Sequence, residues 1–148
     1  MNVDPGLINF LAYAIAKFIA YSAWCAVGLW LLIPKQIGGV RFLGLSLGFG
    51  ALRWLLGLGF GLMVFIALGS ISSESVAAWY FGIYTPLRIV EWMIIVAVIM
   101  RKLPAAVRAA QYPRAALWIG GGIVVSFLTD IVSPQGLAGK FCVGRCLC

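Results

Sequence analysis

Histidine is absent from this sequence, and acids are scarce: Asp4, Glu74, Glu91 and Asp130 are its only side-chain carboxylates. Without imidazole there is no His-ligated metal centre and little general acid–base chemistry, so no cofactor or metal is expected and the protein is read as a non-enzyme. Charge of either sign is thin, at 10% of residues where soluble domains carry about a quarter. Apolar residues take its place, at 64% with a mean hydropathy of +1.07, and such a chain belongs in a lipid bilayer. The net charge of +7 could suggest nucleic acid. The Lys and Arg residues instead sit mostly at the ends of apolar segments, so they are topology signals and no nucleic-acid partner is expected.

About 20 apolar residues make one membrane crossing, which leaves a chain of 148 residues room for one domain. The expected fold is all-α, an integral membrane four-helix bundle with short loops. Its helices fall at about 7–33, 42–69, 76–100 and 115–132, and 133–148 is a cysteine-containing tail. The opening MNVDPG has no positive charge and the apolar run after it is long, so this run is a retained helix and not a signal peptide. Within it Asn9, Tyr13, Lys17 and Tyr21 recur every four residues as one polar stripe, expected to face protein. Pro34 ends the run. The second helix is rich in glycine, with Gly44, Gly48, Gly57 and Gly61 in two small-xxx-small pairs and Gly50 and Gly59 besides. Such residues let helix backbones approach closely in lipid. GLGFG at Gly57 to Gly61 lacks the strand–turn–helix setting of a nucleotide loop, so packing is its expected role.

The third segment, WYFGIYTPLRIVEWMIIVAVIM from Trp79 to Met100, organises the rest. It could cross a membrane, yet holds Arg88 and Glu91 near its middle and Pro86 just before them. One charge at the bilayer centre costs at least ~2.5–3.5 kcal/mol, so each needs a partner, a cavity or a role. Counting residues inward from each helix end at 1.5 Å apiece puts Lys17, Arg53 and Arg88 at nearly the same level, roughly 15–18 Å deep. Glu91 lies one turn further in, and Asp130 nearer the outer face. These five form a candidate intramembrane binding layer. Internal pairing would match Glu91 with Arg88 or Arg53 and Asp130 with Lys17, locking helix order; otherwise the surplus positive charge awaits an anionic ligand. Tyr13, Trp54, Tyr84 and Trp92 are candidate cavity-lining residues, with core packing the alternative for each.

The loops sort by sign. The N-terminus and the Ser70–Ser75 turn hold only acids, whereas the two longer loops are basic, RKLPAAVRAAQYPR from Arg101 to Arg114 most of all. By the positive-inside rule both termini lie outside the cytoplasm, across a cell (inner) membrane. With an outside tail, Cys142, Cys146 and Cys148 suggest one disulfide and a leftover thiol. A zinc site is the weaker alternative, since three thiolates leave it incomplete. Two functions fit. The first is a non-enzymatic subunit of a larger membrane assembly, held by the charge layer and glycine packing against other membrane chains or copies of itself. The second is a homo-oligomeric transporter or channel component for an anionic solute or lipid headgroup, with Lys17, Arg53 and Arg88 binding the anion.

Overall fold

The computed structural model describes residues 5–33, 38–68, 76–101 and 103–131, without the side chains of residues 5–7, 10, 68 and 76–79. Four helices make up the fold: α1 (Pro5–Leu32), α2 (Gly39–Leu68), α3 (Val76–Met100) and α4 (Ala105–Ile131). No strand occurs among the described residues. All four are long and apolar enough to cross a membrane, and the chain is an all-α, four-helix membrane bundle.

Sequence neighbours pack side by side, and α1 closes the ring against α4. Lys17 meets Asp130 while Trp24 meets Trp118, so α1 and α4 run antiparallel. The core is built on helical spacing. Tyr21, Cys25, Leu29 and Leu32 come from α1, Trp92, Ile95, Val96 and Ile99 from α3, and Ala115 and Trp118 from α4. Each set recurs at three to four residues, the period that keeps side chains on one helix face. The outward faces stay apolar, with Ile15, Ile19, Leu55, Ile66 and Leu117 all exposed, as a lipid-facing surface requires.

One boundary departs from expectation. α4 begins at Ala105 and not near residue 115, so most of the segment read as a basic loop is helix. Pro104 stands immediately before the first turn, where its missing N–H costs nothing, and Ala105, Ala106, Ala109 and Ala110 are the strongest helix formers. Pro113 inside α4 forgoes a single bond to the carbonyl of Ala109, an exposed residue.

Close approach between α1 and α2 depends on Gly50. A Cβ there would stand 2.8 Å from the backbone Cα of Ser22, and a helix backbone cannot yield as a flexible side chain can. Gly50→Val is therefore expected to lower stability by about 1–3 kcal/mol, the usual cost of overpacking, measured by unfolding in mixed detergent.

Candidate functional site: a cross-paired charge cluster

The five intramembrane charges converge. Arg53 Nη2 of α2 lies 2.5 Å from Glu91 Oε2 of α3, and Arg88 Nη1, one turn before Glu91, lies 3.7 Å from the same oxygen. Arg88 Nη2 then reaches across to α4, 2.5 Å from Asp130 Oδ2, and Lys17 of α1 donates to Asp130 Oδ1. Arg88 thus bridges both acids, and one continuous network ties all four helices. Both pairings anticipated from the sequence occur, and Arg88–Asp130 is an additional one.

Shelter is nearly complete. Arg53 is 0% exposed, Glu91 3%, and Arg88 and Asp130 6% each, which removes them from lipid and water alike. At this burial the attraction within an ion pair best repays its desolvation when the remaining lone pairs and protons are also bonded. Asp130 meets that condition: Tyr13 Oη donates to Oδ1 at 2.8 Å and Tyr80 Oη donates to Oδ2. Lys17 Nζ additionally donates to Tyr13 Oη at 2.7 Å.

Arg53 is held differently. Its guanidinium carbon lies 4.7 Å from the ring centre of Tyr21 and 5.0 Å from that of Trp92, so two aromatic faces supply part of the stabilisation. Its Nη2 donates to Ser126 Oγ at 3.2 Å, Trp92 Nε1 donates to the same oxygen at 3.2 Å, and the hydroxyl itself donates to the Gly122 carbonyl at 2.8 Å. Ser126 is thereby saturated, and it joins α2, α3 and α4. By contrast Nε and Nη1 of Arg53 are buried and have no hydrogen-bond acceptor among the described residues. Three cations and two acids also leave the cluster one positive charge in excess.

The other expected residues divide. Trp92 is fully buried at the centre, Tyr84 lies with its ring centre 5.8 Å from Arg88 Cζ, and Trp54 sits half-buried against the apolar core. Tyr13 and Lys17 line a groove of 420 Å³ between α1 and α4, together with Asn9, Ala16, Leu128 and Thr129. The polar stripe on α1 therefore turns inward only from Tyr13, since Asn9 is exposed. Tyr80 lies near the start of α3, where an aromatic ring is expected at the membrane interface, but it is 4% exposed and bonds Asp130. Its spacing of eight from Arg88, like the spacing of four between Ser126 and Asp130, was the signal that would have found both residues.

Trp24 and Trp118 form a second polar feature. Each indole N–H donates to the other residue's backbone carbonyl, at 3.1 Å and 2.9 Å. Gly28 and Gly121 admit these rings, since a Cβ at either would run into an indole. Of the cysteines, Cys25 is buried and unpaired, whereas Cys142, Cys146 and Cys148 lie outside the described residues. No group of three metal-ligating side chains occurs among the described residues.

The chain matches no protein-family model, no curated protein and no solved structure.

Proposed function

We propose that this small polytopic membrane protein is a non-enzymatic subunit of a larger membrane assembly, joined through the outward face of α2. One observation carries this reading. α2 is the least covered of the four spans, with 22% of its window buried, and on its open side Gly44, Gly48 and Gly59 have nothing within 4 Å of where a Cβ would stand. A glycine inside a helix sacrifices about 0.8–1.0 kcal/mol of helix propensity relative to alanine. Facing lipid it gains nothing in return. Facing another helix it lets two backbones touch, so the occupant is a transmembrane helix of another chain that carries small residues of its own. Engagement of Glu91 and Asp130 in ion pairs, with no histidine in the chain, supports a non-catalytic role.

Native mass spectrometry of the full chain, extracted in mild detergent, tests this. The expected species differs in mass from every whole multiple of the 16.0 kDa chain by one recurring second polypeptide. Gly44→Leu with Gly48→Leu should reduce it about ten-fold while the bundle stays folded, because overpacking of a contact costs about 1–3 kcal/mol. Monomers, or pure multiples of the chain, would end the subunit reading.

The excess positive charge, and the two Arg53 nitrogens without a hydrogen-bond acceptor among the described residues, favour a second reading: a homo-oligomeric transporter or channel component for an anion. Liposomes containing the protein would then pass anions, and Arg53→Gln would stop them. Tight liposomes would dispose of it.

A further inference from the structure

The α3 and α4 helices part beside the basic end of the bundle to form a groove of 440 Å³. Met93 and Ala97 line one wall and Ala116 and Ile119 the other, and of these Met93, Ala97 and Ala116 are exposed. The groove therefore opens sideways, toward acyl chains and not toward water. Its length is informative. From Arg108 to Ile119 along α4 is about 16 Å at 1.5 Å per residue. That is close to half of a hydrocarbon core about 30 Å thick, the depth of a single leaflet.

Only one end is polar. Arg101 and Arg108 stand at the mouth, with the ring of Tyr112 beside them. Arg108 is fixed in place, because Nη2 donates to the Leu103 carbonyl at 3.0 Å and to the Arg101 carbonyl at 3.4 Å. Its Nε has no hydrogen-bond acceptor among the described residues. The sequence from Arg101 to Arg114 contains four cations and no acid, so nothing in that segment neutralises the mouth. An apolar trough one leaflet deep, capped by two guanidinium groups, has the shape and polarity of one amphiphile.

We propose that this groove binds an anionic phospholipid, its phosphate on Arg101 and Arg108 and an acyl chain along Ala97 and Ala116. Guanidinium groups bind phosphate oxygens through charge-assisted hydrogen bonds, and each basic group near an anionic surface adds its own increment of attraction. A free phosphate ion would have no use for the apolar walls. A partner helix would leave the two arginines without a counter-charge.

Native mass spectrometry of protein released from nanodiscs of equal parts phosphatidylcholine and phosphatidylglycerol tests the site. One phosphatidylglycerol should be retained in preference to phosphatidylcholine. Arg101→Gln with Arg108→Gln should lower that preference about ten-fold. Ala97→Trp, which fills the groove from its exposed side and leaves the core alone, should abolish retention. Arg41→Gln, at the start of α2, should change nothing. Equal retention of the two lipids, an unaltered preference in the double variant, or full retention in Ala97→Trp would each overturn the proposal. Retention of inorganic phosphate with no phospholipid would also overturn it, by showing an ion site without a lipid.

Discussion

Asp130→Asn should cost the bundle about 3–5 kcal/mol, the penalty for leaving a buried charge without its partner. The substitution keeps the side chain's shape but removes the counter-charge of both Lys17 and Arg88, and one of its remaining acceptors becomes a donor. Two tyrosine hydroxyls, from Tyr13 and Tyr80, also converge on this carboxylate. Unfolding titrations in mixed detergent measure the loss. The alternative is that Asp130 makes only ordinary interhelical hydrogen bonds, which average about 0.6 kcal/mol in a membrane protein. A loss near that smaller value would show that the ion pairs add nothing.

The two members of the Arg53–Glu91 pair should differ in their effect, and the direction follows from the cluster's charge. Removing Glu91 raises the excess from one positive charge to two. Removing Arg53 brings the remaining four groups to neutrality, and Arg88, already 3.7 Å from Glu91 Oε2, can take up the vacated carboxylate. Glu91→Gln is therefore expected to cost about 3–5 kcal/mol, and Arg53→Met about 2 kcal/mol less than that, the remainder reflecting lost contact with Tyr21 and Trp92. The double variant should fall closer to Arg53→Met than to the sum, because an uncompensated cation is what makes the acid's removal costly. Equal single-variant losses would mean that the charge excess is already neutralised by a group bound to the protein.

Much of this organisation was legible in the sequence because lipid simplifies the rules. Long apolar runs admit few folds when every backbone group must be bonded within the chain, so four runs read as four helices. The charges were legible for a related reason: a lysine or arginine in the middle of such a run must be sheltered, and depth counting from the helix ends was enough to bring Lys17, Arg53 and Arg88 together. Direction around each helix was harder to read. Tyr80 looks like an interfacial aromatic by its position near a helix end, and only the i, i+8 relation to Arg88 tells that it turns inward. The start of α4 was hidden because cations and two prolines resemble a loop, although the alanines between them favour helix. The Trp24–Trp118 contact had no pairwise signal at all, since the spacing of small residues around a tryptophan does not say which indole will lie there.

The ring of helices closes through α4, and this sets a constraint on assembly in the cell. Chains are made from the amino end, so Lys17, Arg53 and Arg88 enter the bilayer with Glu91 as the single intramembrane acid among them. Asp130, which pairs with two of those cations, arrives only at the end of α4. Until then Lys17 has its bond to Tyr13 but no carboxylate, and Arg88 has only that of Glu91. The carboxylate that joins α4 to the network is thus the last of the five charged groups to be made.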